Sequence, residues 1–269
     1  MPTIVKENDF NVNNVTFSAP KKGKDGKLRS YLLYDGQLAY FETPWLRVPW
    51  QINAPYQDED SKTKPWQLSF QEIPRQDFSS DEENEAQKEM VTNWFNAWRE
   101  LYDKFVDFCI EHSKEIFGKE YKPSQKEVVH ALVNKFVEQK EDYAARMKSK
   151  VYNKQGVPDT KVYRGSQTPL PLKDFATLRT YTQKGSYVKQ ILVPNVWFIN
   201  KSAGISISSK QILLMESDEV DASSFAFQNV AFKQKENDVV EDVVEDNSVD
   251  DEEVDDDSEE EEEEDEDEE

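Results

Sequence analysis

Apolar runs broken by a short polar cluster fill one late stretch, GSYVKQILVPNVWFINKSAGISISSKQILLM (Gly185–Met215). β-branched and apolar residues dominate its runs, which favours strands, and Pro194 would interrupt a helix. A cluster of Asn, Ser and Gly at Asn200–Gly204 predicts the turn of a hairpin. The stretch therefore predicts two or three strands, Tyr187–Val193, Val196–Ile199 and Ile205–Met215.

The apolar positions change parity along the last of these strands. Ile205 and Ile207 occupy odd positions, whereas Ile212 and Leu214 occupy even ones. Because the side chains of a strand alternate between its two faces, one extra residue is needed to keep all four on the same face. We therefore expect a β-bulge near Ser208–Lys210.

Further strands and two helices are predicted before this hairpin. Asp35-Gly36 between two apolar runs is a strong signal for a two-residue hairpin turn. Each helix begins with a capping box, Ser80 with Glu83 and Ser124 with Glu127. Apolar spacings of three and four predict helices from Ser80 to Phe117, ended by Gly118, and from Ser124 to Gln139. The additional strands are predicted at Val15–Ser18, Leu28–Tyr34, Gln37–Thr43, Pro65–Ile73, Tyr143–Tyr152 and Lys161–Arg164.

This order of strands, a long helix and more strands predicts an α+β fold. It favours an OB-fold-like five-stranded Greek-key barrel with the long helix inserted between strands 3 and 4, although other α+β folds share the order. The predicted organisation is a loose lead-in at residues 1–14, the barrel at 15–215 with a helical insertion at 80–140 and mostly loop at 153–184, a linker at 216–235 and a disordered acidic tail at 236–269.

The charge of the chain is concentrated at one end. The formal net charge is −22, but 24 of the 55 acidic residues lie in residues 236–269, which contain no Lys or Arg. The rest of the chain contains 31 acidic residues and 33 Lys and Arg residues. The sequence therefore predicts a slightly basic body that carries a polyanionic tail.

Signatures of catalysis are missing from the sequence. His112 and His130 have no metal-ligand spacing around them, and no phosphate-binding glycine loop or nucleophile motif is present. Cys109 lies on the apolar stripe of the long helix, which favours a core position. We therefore expect no enzyme activity, no cofactor and no metal. The absence of an export signal and of a long apolar run favours a protein that stays inside the cell without spanning a membrane.

Basic and aromatic residues together favour binding of single-stranded DNA. A groove of cations can follow phosphates, while exposed rings stack on bases at about 1–3 kcal/mol per base. Five cations lie close together at Lys21–Arg29, and a predicted strand face carries three more. The candidate DNA-binding residues are Lys21, Lys22, Lys24, Lys27, Arg29, Trp45, Arg47, Trp50, Arg146, Lys148, Lys150, Tyr152, Lys189, Trp197 and Lys201.

Plainer interpretations exist for each of these features. Either basic patch alone also fits a solvated strand face or a mobile loop, and each candidate tryptophan also fits the core. Trp66, Trp94 and Trp98 are assigned to the core outright. The tail also fits a role in solubility; alternatively, its carboxylates compete with DNA for the cationic groove until DNA displaces them.

Three segments carry a resemblance to a known family: Phe17–Ile52 with its TPxxRVP motif, FGKEY at Phe117–Tyr121, and Gly185–Leu214 with its VWF…G…I motif. They resemble the predicted single-stranded DNA-binding proteins of nucleocytoplasmic large DNA viruses, which are similar in plan to the OB-fold proteins of T-odd phages. The resemblance implies an OB barrel with helical additions, a role in viral DNA replication or recombination, and a location in the host cytoplasmic virus factory or nucleus. The phage tails end in an aromatic residue, whereas this sequence ends Glu268-Glu269, so the partner contact of that ring is not carried over.

Two hypotheses of function follow from the sequence. The leading one is a non-catalytic single-stranded DNA-binding protein whose acidic tail competes with DNA and recruits viral replication proteins. The alternative is an acidic-tailed interaction protein, histone-chaperone-like or a virion scaffold, that binds basic partners through the tail.

Overall fold

The computed structural model describes residues 2–53, 65–140 and 142–215, which all belong to one compact unit, Met1–Glu219. This part of the chain is a mixed α+β structure with one large, mostly β sheet and one long helix. The linker and acidic tail predicted from residue 216 onward lie outside the described residues.

The strands are β1 (Thr3–Val5), β2 (Val15–Phe17), β3 (Lys21–Lys22), β4 (Leu28–Arg29), β5 (Leu32–Tyr34), β6 (Gln37–Glu42), β7 (Leu46–Arg47), β8 (Trp66–Gln71), β9 (Val133–Asn134), β10 (Arg146–Val151), β11 (Asn153–Lys154), β12 (Val157–Pro158), β13 (Lys161–Arg164), β14 (Tyr187–Ile199) and β15 (Ser202–Leu214). The helices are α1 (Asp81–Glu111), α2 (Ser113–Phe117), α3 (Lys126–Leu132) and α4 (Phe175–Tyr181).

Five of these strands pair in a ring. The order is β7-β8-β10-β15-β14, and β14 pairs back to β7. β8 and β10 are antiparallel over six residue pairs, whereas β10 meets β15 in parallel at Lys150 and Ser208. Outside the ring, β14 also pairs with β6, β6 pairs with β5, and β5 pairs with β2.

The strands of the late hairpin are longer, and its turn is shorter, than predicted. β14 runs without a break through Pro194, which pairs with Ile207, so the stretch forms two strands and not three. On the side of β14 away from β15, the described pairings involve Tyr187–Val188 and Ile191–Leu192, and none involves Pro194. The N–H that proline lacks is therefore not needed there, and its absence costs little stability. The turn consists of Asn200-Lys201 alone, with φ of 50° and 59°, as a two-residue hairpin turn requires.

The predicted β-bulge is confirmed. Ile191 pairs with Gln211 and Leu192 with Ser209, which leaves Lys210 as the extra residue. Ile207 and Ile212 are consequently both buried, on either side of the bulge.

The start of the long helix follows the sequence prediction, but its end does not. The Glu83 backbone N–H donates to Ser80 Oγ at 3.2 Å, which caps α1. The helix ends at Glu111 because His112 leaves helical geometry, and a separate short helix, α2, carries the chain to Gly118 with φ 74°. Trp94, Trp98 and the other large residues of its apolar face are buried against the sheet.

The second helix is also shorter than predicted. α3 ends at Leu132 instead of Gln139, and Ser124 lies in a preceding 3-10 turn and does not cap it. The following residues, Val133–Asn134, pair with β15 as β9. Backbone hydrogen bonds to a neighbouring strand thus replace those of further helical turns.

Three other predictions are corrected by the fold. The lead-in at residues 1–14 is not loose, because β1 pairs in parallel with β6. The long helix follows β8 and stands between the second and third strands of the ring, not between strands 3 and 4. Residues 153–184 contain the unpredicted helix α4, which Asp174 caps by accepting from the Thr177 N–H at 2.7 Å. In the described part of the chain, no helix is long and apolar enough to cross a membrane.

Candidate nucleic-acid interface

The three cations of β10 share one outward side, as the alternation predicts. Arg146, Lys148 and Lys150 are half-exposed, and the residues between them are buried. Their cross-strand partners on β8 are Gln71, Ser69 and Gln67 respectively. These six residues are called the β10 face below.

Glu138 neutralises two of these cations. Its Oε2 lies 2.7 Å from Arg146 Nη2, and its Oε1 accepts from Lys148 Nζ at 2.8 Å. Burial raises the pKa of the Glu138 carboxyl, but the hydrogen bonds from Lys148 and Arg146 outweigh it and hold the pKa below its ordinary value. Two of the three predicted phosphate contacts are therefore already occupied by a carboxylate.

Lys150 is different from its two neighbours. It makes no ion pair or hydrogen bond with the described residues, although it is half-buried between Gln67 on β8 and Ser208 on β15. Burial lowers the pKa of its ammonium group. An uncompensated, partly desolvated cation on an outward sheet face is a strong candidate for an anion contact.

Aromatic side chains lie at both ends of the β10 face. Trp50 is 44% exposed, and the Arg146 guanidinium lies 5.4 Å from the centre of its ring. Tyr152, 38% exposed, directly follows the strand at the Lys150 end. The face thus combines a cationic strip with two rings that solvent reaches.

A groove of about 1030 Å³ opens beside the Arg146 end of this face. Its lining combines Trp50, Gln71 and Arg146 with residues of α1, α3 and the segment after β9. Tyr102 Oη lies 3.3 Å from His130 Nδ1 within it.

The second predicted basic patch is separate from the β10 face. Lys21 and Lys22 pair with Arg29 and Leu28 in the exposed β3–β4 hairpin, and the turn also carries Lys24 and Lys27. Arg29 donates to Asp25 at 2.9 Å. This hairpin contacts β14, which β15 separates from β10 in the ring.

Two of the remaining candidates have partners in the structure, and a third is partly buried. Lys189 is half-buried and forms ion pairs with Glu7 and Glu42, with the ring of half-buried Trp45 5.9 Å from its Nζ. Arg47 is half-buried in the β7–β8 pairing. These three residues are less accessible to a ligand than the sequence pattern indicates.

The hairpin tip carries the last two candidates. Lys201 is exposed in the two-residue turn. Trp197 is half-exposed and packs closely against Gly204, where a Cβ atom would come within 2.5 Å of its Cζ2. Part of the indole is thus covered by β15.

The core predictions for the other aromatic and sulfur residues mostly hold. Trp94 and Trp98 are fully buried, whereas Trp66 is half-buried and stacks on Phe175 with ring centres 4.4 Å apart. Cys109 is buried, and burial raises the pKa of its thiol to about 12, so it is not a thiolate at neutral pH. Among the described residues no His, Cys, Asp and Glu group has a metal-binding arrangement.

Sequence reasoning missed Glu138 because it assigned this residue to the second helix. The ion pairs arise only because the chain leaves α3 early and runs back along β10. No local pattern in the sequence signals that return.

The fold and site define a mixed α+β protein with a cationic strand face flanked by exposed rings. No family model matches the chain, and no curated protein matches it. Among solved structures it is similar to the single-stranded DNA-binding protein of bacteriophage Enc34 in complex with ssDNA, with TM-score 0.37 and 11% identity over 75% of this chain and 96% of that one. It is also similar to gp2.5, a single-stranded DNA-binding protein of bacteriophage T7, with TM-score 0.36 and 13% identity over 68% of this chain and 96% of that one.

Proposed function

We propose that this protein binds single-stranded DNA without catalysis, and that the β10 face is its principal contact. The observation that carries the proposal is Lys150, a half-buried ammonium on an outward strand face that has no partner among the described residues. A phosphate would supply the missing anion. Trp50 and Tyr152 at the two ends of the face supply rings for bases, which single-strand binding requires.

The order of strands in the ring supports the same proposal. We propose that β7-β8-β10-β15-β14 form an OB-fold-like barrel, in which oligonucleotides bind the face of strands 2 and 3 and the loops after strands 1 and 4. In this ring strands 2 and 3 are β8 and β10, so the β10 face is the expected binding side. Trp50 follows strand 1, and Lys201 lies in the turn after strand 4.

We further propose that the acidic tail regulates DNA binding and that the protein acts in DNA replication or recombination. A tethered polyanion would compete with DNA for the cations and become available to basic or replication partners when DNA binds. A role in replication or recombination rests on the family resemblance described above.

The test is a titration of a dye-labelled oligothymidine with the full chain, followed by anisotropy over a series of NaCl concentrations. Lys150→Ala is expected to weaken binding and to reduce the slope of log K against log salt by about 0.7, the share of one phosphate contact. Lys114→Ala removes the same charge from the exposed surface of α2 and is expected to change neither value.

Two results would contradict the proposal. Absence of oligothymidine binding at low salt, even after removal of residues 236–269, would rule out the function. Equal slopes for the wild type and Lys150→Ala would show that the β10 face is not the contact. Capture of histones that is lost on tail removal, without DNA binding, would favour an acidic-tailed interaction protein instead.

A further inference from the structure

Glu138 occupies the position on the β10 face that a phosphate would take. Its two carboxylate oxygens divide between Arg146 and Lys148, at 2.7 Å and 2.8 Å, in the way two phosphate oxygens would bridge the same cations. The Arg146 Nε also donates to Glu138 Oε2 at 2.8 Å. The third cation of the strand, Lys150, has no such carboxylate in the described chain.

The backbone fixes this carboxylate against the face. The Glu138 N–H donates to the Arg146 carbonyl and the Arg146 N–H donates to the Glu138 carbonyl, both at 2.8 Å. This isolated bridge holds the segment after β9 beside β10. Because the main chain is paired, only the side-chain torsions of Glu138 need to change for its carboxylate to leave the two cations.

The exposure of the cluster allows an exchange of partners. The side chains of Glu138, Arg146 and Lys148 are 40%, 29% and 37% exposed, so an incoming anion can reach all three. Ion pairs this accessible to solvent contribute little net stability. A polyphosphate strand that releases counterions can therefore displace the carboxylate.

We infer that Glu138 is an internal competitor for phosphate that sets the affinity of the β10 face for single-stranded DNA. This inference rests on the proposed function. In the free protein the carboxylate satisfies Arg146 and Lys148, and of the three β10 cations only Lys150 has no anionic partner among the described residues. When a strand binds, its phosphates replace the Glu138 carboxylate, and the energy of breaking the two ion pairs lowers the net affinity. Isolated anions, which release fewer counterions, are rejected more strongly than a continuous strand.

The test compares Glu138→Gln with the wild type in the oligothymidine titration. Glutamine keeps the size of the side chain and can still accept a hydrogen bond, but it removes the charge that neutralises the cations. We expect about a tenfold tighter Kd at low salt, because no ion pair has to be broken on binding, and an unchanged slope of log K against log salt, since the same phosphates are neutralised in both complexes. Glu89→Gln removes the same charge from the exposed surface of α1 and is expected to leave both values unchanged.

The outcomes separate this inference from the function on which it rests. If the wild type and its tail-deleted form do not bind oligothymidine, the proposed function fails. If the wild type binds and Glu138→Gln binds equally or more weakly, Glu138 is not a competitor and only the inference is overturned. Thermal denaturation of each variant identifies any loss caused by unfolding.

Discussion

At the scale of single residues, accessibility depends on partners from distant parts of the chain. Arg146, Lys148 and Lys150 follow one alternating pattern, and the sequence correctly predicted that they share a face. Their electrostatic states differ because Glu138 reaches only the first two. Lys189 likewise meets Glu7, which is 182 positions away. Spacing along a strand predicts which face a cation occupies, but long-range pairing decides whether it is available.

Trp50 gives a prediction at this scale. Trp50→Ala is expected to weaken oligothymidine binding by about 1–3 kcal/mol, a factor of about 5–150 in Kd, because one stacking ring is removed. The salt slope should stay unchanged, since the indole contacts no phosphate. Trp50→Phe retains a ring and is expected to lose less affinity. A wild-type Kd for Trp50→Ala, measured by the same anisotropy titration, would contradict a stacking role for this residue.

At the scale of elements, local patterns predicted the late hairpin better than the helices. The change of parity between Ile207 and Ile212 located the bulge, because alternation is a local property of a strand. The end of α3 was not predictable in this way. The apolar spacing continues to Phe136, but β15 supplies the backbone partners for Val133–Asn134, and a tertiary contact thus overrides the helical pattern.

The contact between Trp197 and Gly204 gives a prediction for this hairpin. Gly204→Ala would place a Cβ atom within 2.5 Å of the indole, so either the ring or the strand must move. We expect a loss of about 1–3 kcal/mol in the free energy of unfolding, measured by chemical denaturation. In the double variant with Trp197→Ala, the added cost of Gly204→Ala should shrink, because the ring that clashes is gone.

An additive double variant would show that the cost comes from the backbone of β15 and not from the ring. Ser206→Ala, two positions along the same strand, is the matched control, since it changes a half-buried residue without placing a new atom against the indole.

At the scale of the whole molecule, the class of fold was predictable but the arrangement of strands was not. The α+β composition and the existence of a long helix follow from periodicity. The closure of the ring depends on pairings such as Lys150 with Ser208, which join strands far apart in sequence and leave no local signal. Short strands such as β1 and β7 were missed because two or three residues carry too little pattern.

The distribution of charge over the whole chain yields the last prediction. The 24 carboxylates in residues 236–269 share a molecule with a body of 31 acidic and 33 basic residues. Tethering gives such a tail an effective concentration on the order of millimolar, enough to compete with DNA at exposed cations. Deletion of residues 236–269 is therefore expected to tighten oligothymidine binding at low salt. The gain should shrink as salt rises, because screening weakens the competing tail.

A length-matched control separates charge from chain length. Replacing the 24 acidic residues by Asn and Gln should reproduce the effect of deletion, because the competition depends on the carboxylates and not on the volume of the tail. Combining deletion with Glu138→Gln should tighten binding beyond either change alone, since the two sets of carboxylates are expected to compete at different cations of the body. An unchanged Kd on tail deletion would show that the acidic segment does not compete with DNA. If the protein with the neutral tail binds oligothymidine as weakly as the protein with the native tail, the effect of deletion comes from chain length and not from charge.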